Sequence, residues 1–319
     1  MSETCDILIS GGGIAGLCAA AAFGHAGFKV ICVDPAPPVT ERDVDGSDLR
    51  TTAFLQPAQE LLETCGLWAR LDSHAAPLQV MRIVDAGGDV AEPRIVKDFD
   101  AADISGKPFG WNLPNWLLRR EMVARLAELD NVDFRPGTGT DSLFTREAEA
   151  RVGLSDGSRV RTRLVVAADG RTSPMRQAAG IGVHTMRYGQ KALAFAVTHP
   201  IAHDNVSTEI HRSGGPFTLA PLPDWQGQPS SAIVWMERGP RAMEPSSASR
   251  SRTTARGFPR ISATRSSSTS TSATAPASTP RAGRSGCSAP TWSTARIATR
   301  RRTCPAVACA TAAWACSAP

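Results

Sequence analysis

Near the start of the chain stands a G-x-G-x-x-G pattern, formed by Gly11-Gly12-Gly13-Ile14-Ala15-Gly16. An apolar run precedes it and an Ala-rich stretch follows, so the pattern predicts a strand, a tight turn and a helix. In such a unit Gly11 permits the turn, Gly13 lets the backbone approach a diphosphate, and Gly16 allows the helix to pack closely on the strand. The diphosphate would then lie at the helix N-terminus, where the backbone N–H groups of Ile14 and Ala15 are free.

A second apolar run, Lys29–Val33, ends at Asp34. This is the distance at which dinucleotide-binding units place an acidic residue that accepts a hydrogen bond from the adenosine ribose. A glycine-rich turn without a ligand is the alternative, but it leaves the position of Asp34 unexplained. The unit therefore predicts a dinucleotide site, with FAD and NAD(P) both still open.

Much further along the chain, the apolar run Leu164–Ala168 ends in Asp169-Gly170, and a short loop and a second helix start follow. A late strand that delivers an acid and a glycine is what an interrupted nucleotide domain requires. We expect the chain to leave this domain, build other structure, and return beside the first glycine-rich turn.

The residues Asp169, Gly170, Ser173 and Arg176 form D-G-x-x-S-x-x-R. This pattern resembles the second signature of the FAD-dependent aromatic hydroxylases, the p-hydroxybenzoate hydroxylase-like family. Three more stretches, in the family's order, resemble its ubiquinone-biosynthesis hydroxylases over about residues 4–243: Ser47–Leu71, Leu117–Leu129 and Glu209–Arg238.

The resemblance implies roles for two arginines and a set of small molecules. Arg50 and Arg119 match positions that contact the flavin, whereas local ion pairing of Arg50 and simple solvation of Arg119 are the alternatives. FAD would be the cofactor, NAD(P)H the co-substrate, and O2 the oxidant that hydroxylates an aromatic ring. The ubiquinone-like stretches imply a polyprenyl phenol-like ring, and with it contact with a membrane surface or a biosynthetic complex. Another flavin oxidoreductase on this scaffold, such as a halogenase or a prenyl reductase, stays open.

Strand pattern and resemblance together predict an α/β fold. A Rossmann-like FAD-binding domain with a three-layer ββα arrangement would be interleaved with a mixed-sheet substrate domain. The FAD-binding domain would comprise residues 1–75 and 115–182, and the substrate-domain sheet residues 76–114 and 183–243. Within that sheet the strands are expected near residues 192–197, 207–210, 217–221 and 231–235, with the substrate between them and the flavin.

Several site classes find no support in the sequence. The six histidines are scattered, no catalytic residue is identified, and no ligand cluster predicts a metal. All 30 acidic residues lie in residues 1–245, which gives no reason to expect a nucleic-acid partner. Four lone cysteines without metal spacing indicate buried thiols in a reducing compartment: Cys5, Cys18, Cys32 and Cys65. We expect a cytoplasmic protein with peripheral contact at the inner membrane.

The last part of the chain has a different composition. Residues 246–319 contain 11 arginines but no leucine, lysine or acidic residue, and they include the Ser/Thr/Pro-rich stretch Ser266–Pro280. A low-complexity linker is the conventional interpretation. However, nearly every residue type here has G or C in the middle of its codon, which is what a frame slip in a GC-rich gene would produce. We therefore interpret residues 244–319 as an atypical, disordered and out-of-frame tail.

That interpretation has a consequence for function. The resembled family carries a third flavin signature, a G-D-A-A-H-like strand end, beyond this point, and the sequence contains none. The expected activity would then be crippled, and a non-catalytic nucleotide-binding remnant is the alternative.

Sequencing the gene around codons 243–246 tests the frame slip. We expect another reading frame to encode a Gly-Asp motif downstream of this point, because the shifted frame would restore ordinary codon usage. A gene in which no other frame encodes that motif would contradict the interpretation.

Overall fold

The computed structural model describes residues 3–87, 92–212, 215–238 and 307–308. In chain order the elements are β1 (Glu3–Ser10), α1 (Ile14–His25), β2 (Val30–Asp34), β3 (Thr51–Leu55), α2 (Gln56–Thr64), α3 (Trp68–Leu71), β4 (Ala76–Leu78), β5 (Val80–Asp85), β6 (Ile95–Asp100), β7 (Gly110–Pro114), α4 (Asn115–Leu126), β8 (Val132–Pro136), β9 (Thr140–Thr145), β10 (Ala150–Leu154), β11 (Arg159–Ala167), α5 (Pro174–Ala178), β12 (Gln190–Thr198), β13 (Val206–Arg212), β14 (Gly215–Trp225), β15 (Gln228–Arg238) and β16 (Val307–Ala308).

The first sheet is parallel at its centre and is ordered β8-β2-β1-β11-β10-β9, with β16 pairing in parallel to β11. β1 pairs with β2 from Ile7↔Val30 to Ser10↔Val33, and with β11 up to Ser10↔Ala167. The central strands are continuous apolar runs because both faces of this sheet are covered. Leu8, Ile9 and Ile31 are fully buried.

Helices α1 and α4 cover one face. The Ala-rich sequence of α1 favours a helix, and Gly27, at φ +88°, ends it where a side chain would be strained. α1 also lies close to β8: a Cβ at Gly24 would be 2.2 Å from Cγ2 of Val132. This side forms the larger core cluster, which includes Leu17, Leu118 and Met122.

The β9–β10 hairpin covers the other face. Its inward residues, among them Val152 and Leu154, join Leu8, Ile31 and Val165 in a second core cluster. The result is a sheet between a helical layer and a β layer. Together with the second sheet described next, it confirms the predicted α/β class.

The second sheet is mixed, with the order β12-β15-β14-β13-β5-β6. The four strands expected between residues 190 and 238 are all present in it. β15 pairs antiparallel with both β12 and β14, and β14 pairs antiparallel with β13. β13 in turn pairs in parallel with β5, from Val206↔Val80 to His211↔Asp85. A smaller three-stranded sheet has the order β3-β7-β4, and in the sequence its strands come between strands of the two larger sheets. A hydrogen bond from Nδ2 of Asn112 in β7 to the Pro221 carbonyl of β14 links it to the second sheet at 2.9 Å.

Two smaller observations complete the fold. Within the described ranges, no helix combines the length and the apolar character that a membrane crossing requires. The four cysteines of this part are free, and burial raises the pKa of the Cys18 and Cys32 thiols to about 12. The predicted disorder and frame slip of residues 244–319 fall outside the described residues, apart from Val307 and Ala308.

Candidate active site

The glycine-rich turn lies at the carboxyl end of β1. Gly11 has a φ of +110°, and its N–H donates to the Val33 carbonyl at 2.8 Å. A Cβ at Gly11 would be 2.3 Å from the Ala168 carbonyl oxygen, and a Cβ at Gly16 would be 1.8 Å from the Gly11 carbonyl oxygen. These two positions require glycine because the backbone itself occupies the space of a side chain.

Gly13 differs from them, since a Cβ built there meets nothing within 4 Å. Its φ is −71°, so its backbone does not demand glycine either. Gly13 is the N-cap of α1, and no side chain caps this end. The first backbone N–H groups of the helix, including those of Ile14 and Ala15, therefore have no side-chain or intrahelical acceptor, and they carry the positive end of the helix dipole. This arrangement suits an anionic diphosphate.

Asp34 lies beside this turn at the end of β2. Its carboxylate accepts hydrogen bonds from the Gly12 N–H at 2.5 Å and from the Ala36 N–H at 2.9 Å. These bonds fix the side chain against the turn and leave lone pairs on both carboxylate oxygens, because a carboxylate has about four acceptor sites.

The second motif lies next to the first because β11 and β1 are neighbours. The Ala168 N–H donates to the Ser10 carbonyl at 2.8 Å, and Asp169 follows directly. The Asp169 carboxylate accepts from the Ser173 hydroxyl and, at 3.0 Å, from the Met175 N–H. Gly170 has a φ of +86°. The structure thus brings Gly11–Gly16, Asp34 and Asp169-Gly170 to one edge of the parallel sheet, at the carboxyl ends of three adjacent strands.

Arg50 and Arg119 meet at a residue that the sequence reasoning missed, Asp48. Arg50 binds its carboxylate through two nitrogens at 2.8 and 2.9 Å, and Arg119 approaches it at 3.3 Å. Nδ2 of Asn115 donates to the same carboxylate at 3.0 Å. The local ion pairing that was the alternative for Arg50 is therefore present.

Burial acts to raise the pKa of the Asp48 carboxyl. The hydrogen bonds from Arg50 and Asn115, together with the Arg50 charge, outweigh it and lower the pKa to about 2. Asp48 is therefore ionised at neutral pH and holds both arginines at the junction of the β2–β3 loop with α4.

The model of the family described as FAD binding domain matches residues 4–280 of this chain. The chain belongs to that family.

Two bacterial ubiquinone hydroxylases are similar to this chain over most of its length. Ubiquinone hydroxylase UbiL of Rhodospirillum rubrum is 35% identical over 236 residues, covering 74% of this chain and 52% of UbiL. Ubiquinone hydroxylase UbiM of Neisseria meningitidis is 26% identical, covering 70% and 48%. The chain thus spans about half the length of these relatives. Among solved structures, Pseudomonas aeruginosa PqsL in complex with 2-aminobenzoylacetate has the same fold, with a TM-score of 0.62 at 22% identity over 75% of this chain and 62% of PqsL.

The residues present fit the cofactor that the family name states. The open space at Gly13, the uncapped start of α1 and the acceptor Asp34 provide a place for a diphosphate and an adjoining ribose.

Sequence reasoning also missed a cavity of about 240 Å³ between the second sheet and the β3–α4 region. Its apolar lining is Leu49, Pro114, Trp116, Leu117, Ala196, Leu222, Pro223 and Trp225. Trp116 takes part in it, whereas Trp111 packs edge-to-face on Trp68 with ring centroids 5.3 Å apart. The sequence signal for this cavity is the pair of tryptophans that flank Pro114. That signal does not distinguish a tryptophan that lines a cavity from one that packs on another ring.

The substitution Gly13→Ala tests the diphosphate position. We expect unchanged thermal stability without ligand, because the added methyl group meets no atom, and FAD affinity at least about tenfold weaker, a loss of roughly 1.4 kcal/mol. Titration with FAD, followed by flavin fluorescence, measures the affinity. Gly106→Ala is the matched control, since a Cβ there also meets nothing within 4 Å. Equal FAD affinity of Gly13→Ala and the control would contradict the assignment.

The substitution Asp48→Asn tests the arginine anchor. The folded-state pKa of about 2 lies below the ordinary 3.8, so ionised Asp48 stabilises the fold above about pH 4, and this contribution is lost as the pH falls towards 2. We expect Asp48→Asn to lower the free energy of unfolding at pH 7 by about 1–2 kcal/mol, with a smaller difference from the parent at pH 3. Urea unfolding at both pH values measures it.

Asp98→Asn is the control for this measurement. It removes a carboxylate from a solvent-exposed pair with Arg82, and exposed pairs contribute little. A pH-independent loss for Asp48→Asn, or one no larger than that of Asp98→Asn, would refute the role of Asp48.

Proposed function

We propose that this chain carries the FAD-binding and substrate-sheet portions of an FAD-dependent hydroxylase. The domain division would be residues 1–75 and 115–182 for the cofactor, and 76–114 and 183–243 for the substrate-domain sheet. The observation that carries the proposal is the convergence of Gly11–Gly16, Asp34 and Asp169-Gly170 on one sheet edge.

The proposed cofactor-binding residues divide by role. Gly11 and Gly16 shape the turn; Gly13, Ile14 and Ala15 would provide the backbone for the diphosphate. Asp34 would accept a ribose hydroxyl, and Asp169 with Gly170 would lie near the remaining part of the cofactor.

Arg50 and Arg119 would add positive charge to the cofactor site. Asp48 neutralises part of it and fixes the direction of both side chains. The relevant roles are therefore positioning and electrostatics, which is what a protein contributes when a cofactor supplies the redox chemistry.

The proposed substrate is an aromatic ring, by analogy with the ubiquinone hydroxylases UbiL and UbiM. FAD, when bound, supplies the chemistry that activates oxygen. The overall reaction would consume the arene, NAD(P)H, a proton and O2, and would yield the hydroxylated arene, NAD(P)+ and water. A polyprenyl phenol would fit the ubiquinone-related sequences and would bring the protein into contact with a membrane surface or a biosynthetic complex.

The altered composition of residues 246–319 favours a second candidate, a nucleotide-binding chain without catalytic activity. The two candidates share the cofactor site and differ only in catalysis.

Purified chain supplied with FAD, NADPH and a phenol distinguishes them. The hydroxylase predicts that FAD is retained, that the phenol stimulates NADPH oxidation at a rate reduced by the altered tail, and that one atom of 18O from 18O2 appears in the product. Gly13→Ala is the matched variant and is expected to lose this activity through its weaker FAD affinity. Retained FAD without phenol-dependent NADPH oxidation would support the non-catalytic candidate for this chain.

A chain with the downstream reading frame restored belongs in the same assay. Activity only in the restored chain would show that the altered tail removed catalysis from a hydroxylase. Inactivity of both chains with FAD bound would show that the scaffold lacks this chemistry.

A further inference from the structure

Arg42 has an unusual environment in the loop between β2 and β3. Its guanidinium carbon lies 3.4 Å from the ring centroid of Trp225, at the end of β14, so the loop of the first sheet touches the second sheet here. Nη1 of Arg42 is buried and has no hydrogen-bond partner among the described residues. An aromatic face stabilises a cation, but it does not replace the hydrogen bonds of a guanidinium.

Neighbouring arginines are paired. Arg50 and Arg119 share Asp48, and Arg120 binds Glu121 at 2.9 Å. Within the described ranges, no carboxylate lies within ion-pair distance of Arg42. Arg42 as a whole is half-buried, but a buried guanidinium nitrogen without a hydrogen bond costs free energy that an anionic ligand would recover.

Two cavities meet at Arg42. One is the apolar cavity of about 240 Å³ described above, and the other, of about 380 Å³, has a mainly polar lining that includes Thr198, Gln226 and Gln228. The two cavities share four lining residues: Arg42, Ala196, Trp225 and Ser230. The arginine therefore lies at the boundary between an apolar and a polar compartment.

The shape of this region comes from the second sheet. Ala196 of β12 is paired with Ala232 of β15, which is paired with Ala220 of β14, so small side chains share one face of the sheet, and Ala196 lines both cavities. His74 and Arg120 lie on the other wall of the apolar cavity, and the exposed Asp224 is the carboxylate in the lining. Since Asp224 faces solvent, it screens the Arg42 charge only weakly.

We propose that Arg42 binds an anionic oxygen of an aromatic ligand, an ionised phenol or a ring carboxylate, whose ring occupies the apolar cavity. Ser230 also lines both cavities, but its hydroxyl donates to the Pro223 carbonyl at 3.1 Å, which leaves Arg42 as the cationic donor shared by the two cavities. This inference rests on the proposed function and deepens it, because it makes the charge of the aromatic ligand a determinant of specificity.

A coloured phenol provides the test. The anion of 4-nitrophenol is yellow and its neutral form is not, so absorbance reports the pKa of the bound phenol directly. An opposite charge close to an ionisable group favours its charged form, whereas an apolar cavity disfavours it. We expect the wild-type chain to lower the pKa of bound 4-nitrophenol by about one unit, and Arg42→Gln to abolish or reverse this shift.

Three comparisons complete the experiment. Arg42→Lys is expected to retain part of the shift, because it keeps the charge but loses the planar guanidinium. Arg120→Gln is the matched control: it lines the same cavity, but Glu121 already neutralises it, so the shift should persist. By quenching of tryptophan fluorescence, benzoate should bind at least about tenfold more tightly than uncharged benzamide, a difference of roughly 1.4 kcal/mol, and Arg42→Gln should remove that preference.

The following outcomes would overturn the proposal: no pKa shift in the wild-type chain, equal loss in Arg120→Gln, or equal affinity for benzoate and benzamide. Displacement of 4-nitrophenol by inorganic pyrophosphate more strongly than by benzoate would also overturn it, because the site would then take phosphate. No flavin or NADPH is present, so failure here with intact phenol-dependent oxygenation rejects the role of Arg42 alone. Anion binding without oxygenation, also in the chain with the restored reading frame, would instead reject the hydroxylase.

Discussion

The parallel pairing of β1 with β11 is the constraint on which the rest of the structure depends. It joins Ser10 to Ala167, residues that are far apart in the sequence, and places the two strand ends side by side. Two core clusters form on the opposite faces of the sheet that this pairing completes, one beneath α1 and α4 and one beneath the β9–β10 hairpin. The glycine-rich turn and Asp169-Gly170 meet only because these strands are neighbours, and the carboxyl ends of parallel strands share one edge.

A second level of organisation connects this sheet to the mixed sheet. The β2–β3 loop carries both Asp48, which binds Arg50 and Arg119 near α4, and Arg42, which stacks on Trp225. The hydrogen bond from Asn112 to the Pro221 carbonyl is a further link and is buried. One loop therefore contributes side chains to the surroundings of both candidate sites.

Local sequence signals predicted the elements well. The strand before Gly11, the helix from Ile14 to His25 and the strand ending at Asp34 agree with the expected unit to within a few residues. These signals act over one or two turns or a single strand, where glycine, alternation and helix propensity dominate. The helix start expected after Ser173, at Met175 to Ala179, agrees with α5 to within one residue. The contacts between side chains from different elements were beyond such reasoning, and Asp48 is the clearest case: it was one acid in an acidic stretch until its position between two arginines was known.

By itself the sequence determined the order of strands and helices, the glycines that the backbone requires, and the family resemblance, because each of these is written in short-range patterns. Only the tertiary structure decided which charges are neutralised and which are left to a ligand. Gly13 and Gly16 look alike in the motif, yet one borders open space and the other lies against the backbone. Arg42 and Arg50 belong to the same polar loop, yet Asp48 pairs with Arg50, while Arg42 stacks on an indole ring and has one buried nitrogen without a hydrogen bond. The physical reason is that burial and pairing depend on distances between segments remote in sequence, which no local pattern specifies.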